Sequence, residues 1–301
     1  MITGHIFWLA ILSQAITGCP AESVNTAGVT GSSGYNLTAP DKVYNLPPSL
    51  HEISGITAVD ASSVACIQDE HGLVFIYDLN RNSITKQISF GSNGDYEGIA
   101  RVNKALYILR SDEVITEIVD FTSANSPKNA YETGIPGRDA EGLCYDPKNN
   151  RLLIAPKEIS SDNPSSQATR HIFGFNLASK TLIKGTVMDF DIEKIEEFAV
   201  KNNIKVPMKG KKGEEKVPDI NMKISAIGIH PITYKLYAIS GPERLLFVFN
   251  MNGTIDSMER LDKDLFAQPE GITFMANGDM LISNEGAKGI PTIVRFNYRT
   301  K

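Results

Sequence analysis

A glycine-containing tripeptide recurs along this chain at a nearly constant interval, and this repeat limits the possible folds more than any other feature. The glycines lie 43, 44, 86 and 43 residues apart. The five tripeptides are Ser54-Gly55-Ile56, Glu97-Gly98-Ile99, Glu141-Gly142-Leu143, Ile227-Gly228-Ile229 and Glu270-Gly271-Ile272. A period of about 43 residues indicates an array of units, each of which packs against its neighbours.

Each unit contains short runs of alternating apolar and polar residues, which is the pattern of β-strands. The first unit reads ISGITAV, SVACIQDE, LVFIYDL and ITKQISF. Four strands in a unit of about 43 residues are typical of a β-propeller blade. The sequence therefore predicts an all-β fold, a five-bladed β-propeller.

The interval of 86 residues is twice the period, so a six-bladed propeller is the alternative. After the strands of the third unit, Ile192, Ile195, Phe198 and Ala199 follow a helical spacing, and a Lys-rich segment (Lys201–Lys216) comes next. No set of four strands fits there. We therefore expect a helix and a Lys-rich loop inserted after blade three, and five blades in total.

The two ends of the repeat array provide a further indication of the fold. The last unit has room for only three strands before Lys301, while a strand pattern at residues 41–47 (DKVYNLP) belongs to no unit. The N-terminal strand is therefore expected to complete the last blade and close the ring, which leaves only short sheet edges.

The N-terminal segment has the features of a targeting sequence. Residues 6–16 (IFWLAILSQAI) are apolar, too few to span a bilayer but enough for the core of a signal peptide. The following ITGC resembles a bacterial lipobox, with Cys19 as the lipidated residue. The sequence predicts a lipoprotein signal peptide (1–18), a flexible tether (19–40) rich in Ser, Thr and Gly, and a propeller (41–301). The predicted location is the bacterial cell envelope, periplasmic or surface-exposed, anchored to the membrane by lipid.

Carboxylates concentrate one and three residues before the repeated glycines. Alternating side chains place these two positions on one face of the first strand, which lines the central channel of a propeller. Six of the ten positions are acidic: Glu52, Asp95, Glu97, Asp139, Glu141 and Glu270. Crowded carboxylates either gain protons or hold a cation, and Ca²⁺ accepts about six to eight oxygen ligands in loose geometry. We expect calcium at this mouth of the channel, although hydrogen bonds to neighbouring blades would also explain the glutamates.

A second series of glutamates lies 14 to 16 residues after the glycines, at the ends of the second strands: Glu70, Glu113, Glu158, Glu243 and Glu285. Because second strands run antiparallel to first strands, their ends return to the acidic face. Basic residues occur among them: Arg110, Arg138, Lys157 and Arg244. Such a rim suits a small anionic ligand near a bound cation, and salt bridges within the rim are the alternative.

Charge and motifs exclude several functions. The 30 basic and 35 acidic residues give a net charge of −5, which argues against a general nucleic-acid binder. HExxH, GxSxG, Walker and GxGxxG motifs are absent from the sequence, so zinc-protease, serine-hydrolase and nucleotide chemistry have no support.

Several segments resemble the SdiA-regulated family, which is related to NHL-type and phytase-like propellers. They are LPPSLHEISGI, IQDEHGLVFIYDL, GDYEGIA, DAEGLCYDPKNNRLLIAPKE, SAIGIHPITYKLYAIS and QPEGITFMANGDMLISNEG. The similarity runs from about Leu46 to Phe296. It implies a five-bladed propeller of the bacterial envelope, often lipid-anchored, with suggested links to calcium and to phytase-like activity.

These observations favour a non-catalytic propeller that binds calcium and presents a face to an anionic ligand or an envelope protein, because no residue stands out as a catalytic base. The alternative is a metal-dependent hydrolase, phytase-like on phosphate esters or lactonase-like on sugar lactones. Such an enzyme would need an open metal position with water and an adjacent base.

Overall fold

The computed structural model of the protein describes residues 1, 34–136, 138–158 and 168–299, apart from the side chains of Arg138 and Glu158. The predicted signal peptide, except for Met1, and the predicted lipidation site Cys19 lie outside the described residues. Within the described residues, no helix is both long and apolar enough to cross a membrane.

Five antiparallel sheets follow one another around a central axis, and they confirm the five-bladed propeller. A strand, β1 (Lys42–Asn45), and a 3₁₀ turn (Pro48–Leu50) precede the first complete sheet. Blade one contains β2 (Ile53–Ala58), β3 (Ser63–Gln68), β4 (Leu73–Asp78) and β5 (Ser83–Ser89). Blade two contains β6 (Tyr96–Val102), β7 (Ala105–Arg110), β8 (Val114–Ile118) and β9 (Lys128–Glu132). Blade three contains β10 (Arg138–Asp146), β11 (Arg151–Glu158), β12 (Thr169–Asn176) and β13 (Thr181–Leu182), with a fifth strand, β14 (Met188–Asp191), paired to β12.

The segment between blades three and four is the predicted insertion. It contains a helix, α1 (Ile192–Lys201), and a two-stranded hairpin of β15 (Met208–Lys209) and β16 (Val217–Pro218). Asp191 caps α1, because its carboxylate accepts a hydrogen bond from the amide of Lys194 at 3.2 Å. The six-bladed alternative is therefore wrong: α1 packs its apolar face against blades three and four, and the hairpin adds only two short strands.

The remaining two blades complete the ring. Blade four contains β17 (Ile224–Ile229), β18 (Leu236–Ser240), β19 (Leu245–Phe249) and β20 (Ile255–Arg260). Blade five contains β21 (Pro269–Phe274), β22 (Met280–Asn284) and β23 (Thr292–Phe296), and its fourth strand is β1. In this pairing Val43 lies opposite Val294 and Tyr44 opposite Ile293. The predicted closure by the N-terminal strand is confirmed.

The folded body includes residues ahead of Asp41, the boundary expected from composition. Tyr35 and Leu37 are buried in the apolar cluster between blades four and five. The hydroxyl of Tyr35 donates a hydrogen bond to the carbonyl of Gly278 at 2.5 Å. The Ser- and Thr-rich composition of this segment predicted a flexible tether and gave no indication that Tyr35 and Leu37 are buried.

The core of the described region lies between the blades rather than in one central mass. Buried apolar side chains form five clusters, each in the space between two neighbouring sheets. The outer strand β5 alternates between exposed and partly buried residues, whereas the middle strands are buried almost throughout. Interlocked packing of this kind stabilises each blade through its neighbours on both sides.

Gly98 illustrates how closely the first strands approach one another. A Cβ atom at this position would lie 2.7 Å from Cβ of Leu143 and 2.8 Å from the carbonyl oxygen of Glu141. We expect Gly98→Ala to lower the free energy of unfolding by about 1 to 3 kcal/mol, because backbone would have to move. Urea denaturation would measure the loss, with Gly289→Ala as the control, since the nearest atom there is 3.6 Å away. Equal stabilities of the two variants would contradict this packing.

Candidate functional site

A β-bulge in the first strand of every blade shapes one mouth of the channel. In each blade the pairing between the first and second strands shifts by one residue, so that one residue of the first strand is left unpaired. The unpaired residues are Ser54, Glu97, Glu141, Ser225 and Glu270. A bulge bends the strand and redirects its side chains. We call this end of the channel the acidic mouth, and these five residues form its inner layer.

The structure corrects the alignment of blade four. The unpaired residue there is Ser225, so Ser225-Ala226-Ile227 is equivalent to Ser54-Gly55-Ile56, and aligning the repeat on Gly228 was wrong by two residues. The two serines make equivalent bonds. Ser54 donates to the carbonyl of Tyr96 at 2.6 Å, and Ser225 donates to the carbonyl of Pro269 at 2.9 Å. Each serine thus joins its blade to the next one.

Three of the predicted ligands form a compact group of carboxylates. Asp95, Glu97 and Asp139 each offer an oxygen, and these oxygens lie within 4.8 Å of one another. Two oxygens that bind the same Ca²⁺ ion are at most about 5 Å apart, given the usual Ca²⁺–oxygen distances. Asp139 has a left-handed backbone (φ 60°), which aspartate tolerates better than most residues. The donors are all hard oxygens, and the spacing fits one divalent cation.

Glu141 lies beside this group, on the same strand as Asp139. Its side chain is only 3% exposed and forms an ion pair with Lys157 through Oε1. The ammonium of Lys157 also lies 3.7 Å from Oδ2 of Asp139. The second oxygen of Glu141, Oε2, is buried without a hydrogen-bond partner among the described residues. An unsatisfied buried oxygen costs free energy, so this atom is available to a cation or a donor.

The other two predicted ligands lie around the same mouth with partners of their own. Glu270 is coupled electrostatically to Glu285, whose carboxylate accepts a hydrogen bond from Gln268. Glu52 contacts the imidazole of His51 at 2.7 Å. The structure thus brings Asp95, Glu97 and Asp139 together, whereas Glu270 and Glu52 have other partners.

Burial and mutual repulsion make the carboxylates of the acidic mouth hard to ionise. Burial raises the pKa of Glu97 to about 9, and the charges of Glu141, Asp95 and Asp139 add to the effect. Burial also raises the pKa of Glu141 to about 8, against the opposing effect of Lys157. Burial likewise raises the pKa values of Glu270 and Glu285 to about 7. A partly buried site that gathers several carboxylates favours cation binding.

Asp69 belongs to the acidic mouth, and sequence reasoning missed it. One of its carboxylate oxygens, Oδ1, is buried without a hydrogen-bond partner among the described residues. Burial raises its pKa, and the charges of Glu52, Glu70 and Asp95 act in the same direction. The available signal was its place at the end of the second strand, directly before Glu70.

The predicted rim glutamates do not form a structural repeat. In each blade, one residue of the second strand pairs with the last residue of the first strand before the bulge. The distances from that residue to the rim glutamate are two, three, three and one residues for Glu70, Glu113, Glu243 and Glu285, respectively. Glu243 accepts hydrogen bonds from the amides of Asn221 and Met222 at 2.7 and 2.9 Å, so it holds the backbone that leads into blade four. The spacing misled because the connections between the first and second strands differ in length, and because blade four was counted from Gly228 instead of Ala226.

The basic residues of the rim also have different roles. Arg110 forms a two-point ion pair with Asp112, with both contacts at 2.7 Å. Arg244 has a buried Nε without a partner among the described residues, and Lys157 enters the acidic mouth. The side chains of Arg138 and Glu158 lie outside the described part. The ion pairs of Arg110 with Asp112 and of Lys157 with Glu141 correspond to the salt-bridge alternative for these two residues.

Below the acidic mouth, a layer of aliphatic side chains lines the channel. In every blade the residue two positions after the unpaired one is buried, and these residues are Ile56, Ile99, Leu143, Ile227 and Ile272. On the far side of this layer is a cavity of about 180 Å³, lined by residues that include Arg101, Tyr145 and Phe274. The aliphatic layer separates the two ends of the channel and contributes to the low polarity that raises the carboxylate pKa values.

Comparisons with known proteins support the fold. No protein-family model matches this chain, and no curated protein does. The structure of Myxococcus xanthus glutaminyl cyclase is similar over 86% of this chain and 95% of that chain, with a TM-score of 0.56 and 12% identity. The structure of a luciferin-regenerating enzyme is similar over 86% and 95%, with a TM-score of 0.52 and 9% identity. At these identities the likeness shows the propeller fold alone, and membership of the SdiA-regulated family stays a prediction.

Proposed function

We propose that this protein binds one divalent cation, with Ca²⁺ preferred, at the acidic mouth of its propeller. The observation that carries the proposal is the group of Asp95, Glu97 and Asp139, whose oxygens lie within 4.8 Å of one another. The buried, unpartnered Oε2 of Glu141 supports it, because it supplies a further oxygen donor next to that group. Carboxylate oxygens without nitrogen or sulfur donors favour Ca²⁺ or Mg²⁺ over transition metals, and Ca²⁺ accepts irregular donor geometry more readily than Mg²⁺ does.

The role that we propose for this site is non-catalytic: it presents a ligand- or protein-binding face. Asp95 is exposed, so the mouth opens to solvent on that side. A bound cation would supply a positive centre for the carboxylate or phosphate of a small anionic ligand, or for an acidic group of an envelope protein. The lipid anchor and the envelope location complete this proposal, and they derive from Cys19 and its preceding residues.

Calcium is expected to raise the melting temperature of the wild-type protein and to leave that of Asp139→Asn and Glu97→Gln unchanged, because binding to the folded state alone stabilises it. Thermal unfolding with CaCl₂ and with EDTA measures the effect. Glu132→Gln, an equal loss of charge at an exposed site on the outer strand of blade two, is expected to retain the full shift. A wild-type melting temperature that saturating CaCl₂ does not change would refute the proposal.

The non-catalytic part of the proposal has its own test. The wild-type protein is assayed with phytate and with p-nitrophenyl phosphate, with and without chelator. We expect no turnover of either compound. Turnover that a chelator abolishes and that Asp139→Asn lacks would replace this proposal with the metal-dependent hydrolase that the sequence left open.

A further inference from the structure

Lys157 is a cation that the protein itself supplies to the acidic mouth. The residue lies near the end of β11, and its side chain is 29% exposed. Its ammonium forms an ion pair with Glu141 and lies 3.7 Å from Asp139. Asp139 is also one of the three residues whose oxygens converge on the candidate cation site. The ammonium and a bound divalent ion would therefore compete for the same carboxylates.

The charge of Lys157 acts on more than these two contacts. The ammonium also interacts electrostatically with Glu97, Glu270 and Glu285, which belong to blades two and five. Lys157 of blade three therefore acts on carboxylates from three blades. Without a metal ion, this ammonium provides part of the compensation that buried carboxylates require.

We propose that Lys157 is a built-in competitor that holds the acidic mouth in a cation-free state and is displaced when a divalent cation binds. The proposal rests on the proposed function and adds its regulation. Ca²⁺ needs about six to eight oxygens, and the three converging residues cannot supply that number with one oxygen each. Release of Asp139 and Glu141 from Lys157 makes further oxygens available. Displacement also removes the repulsion between the ammonium and the incoming ion.

Removing the ammonium is therefore expected to strengthen calcium binding. We expect Lys157→Gln to bind Ca²⁺ on the order of tenfold more tightly than wild type, because one competing positive charge is lost. Lys157→Arg keeps the charge and is expected to bind more weakly than Lys157→Gln. Lys128→Gln, the same change at an exposed position on β9, is the matched control and is expected to match wild type. Isothermal titration of each full-length protein with CaCl₂ gives the affinities.

The outcomes separate this inference from the proposed function. Equal calcium affinities of wild type and Lys157→Gln would overturn the competitor role and leave the cation site intact. A complete lack of binding in all variants would overturn both. Binding by Lys157→Gln alone would mean that Lys157 occupies the site permanently in the wild-type protein, which would overturn its displacement by a cation and the proposed function.

A measurement on the wild-type protein covers the case in which Lys157→Gln does not fold, since that change leaves Glu141 buried without its partner. Acetic anhydride modifies exposed amines, and mass spectrometry locates the modified lysines. Labelling of Lys157 is expected to increase when saturating CaCl₂ displaces its side chain, while labelling of Lys128 stays constant. Constant labelling of Lys157 in a protein that binds Ca²⁺ would contradict displacement.

Discussion

Tyr44→Ala is expected to lower the free energy of unfolding by about 3 to 5 kcal/mol, the usual range for truncation of a large buried aromatic side chain. Tyr44 lies on β1 and is 2% exposed. Its ring packs in the cluster between blades five and one, together with Leu281 and Ile293. The truncation would leave a cavity where the tyrosine ring packs. Because β1 is the strand that closes the propeller, this cavity would loosen the junction between the two ends of the chain. Urea denaturation followed by circular dichroism measures the loss.

Val43→Ala is the control for this prediction. Val43 is the preceding residue on the same strand, but its side chain points the other way and is 45% exposed. Its truncation is expected to change the free energy of unfolding by no more than about 0.5 kcal/mol. Losses of similar size in the two variants would show that β1 does not pack as the closing strand in solution.

Acidification from about pH 6.5 to pH 4 is expected to destabilise the wild-type protein by about 3 kcal/mol through His230 alone. His230 is fully buried, and its Nδ1 accepts hydrogen bonds from the amides of Ile232 and Thr233, both at 3.1 Å. Protonation of Nδ1 would place a donor against two donors. Burial lowers the pKa of His230 from 6.5 to about 4.

The direction of the effect follows from proton uptake. Between pH 6.5 and 4 the unfolded chain binds a proton at this histidine and the folded protein does not, so stability falls as the pH falls. The rings around His230 include Tyr35 and Tyr237, whose pKa values are raised by burial, so both stay neutral in this range. His230 is therefore the group of this aromatic cluster that responds to acid.

The test compares urea denaturation at pH 7 and pH 4 for wild type and His230→Asn. Asparagine can still accept hydrogen bonds from the two amides but takes up no proton in this range. His230→Asn is expected to lose less stability on acidification than wild type, by about 3 kcal/mol. His71→Asn, at an exposed histidine, is expected to keep the wild-type pH dependence. An identical pH dependence of wild type and His230→Asn would contradict the assignment.

Most of the fold could be predicted from the sequence because its signals are local. The recurring glycines, the strand patterns and the helical spacing after blade three predicted five blades, the insertion and closure by the first strand. The alignment of blade four failed because Ala226 occupies the place of the repeated glycine while Gly228 imitates the motif two residues later. The register of a strand depends on its pairing with the neighbouring strand along its whole length, and a single glycine does not determine it.

The candidate site could be predicted only in part. Position relative to the glycine was enough to select Asp95, Glu97 and Asp139, because the bulge is the same in each blade. It was not enough to show that Lys157 enters the mouth or that Glu243 turns to backbone amides. These differences depend on turn length and on side-chain rotamers, neither of which follows from strand alternation.

The aliphatic layer forms the floor of the acidic mouth, so the mouth resembles a cup whose open side is the one at the exposed Asp95. An ion or ligand would enter and leave the cup through that side. A partner that docks over this opening would therefore slow the exchange of whatever the cup holds.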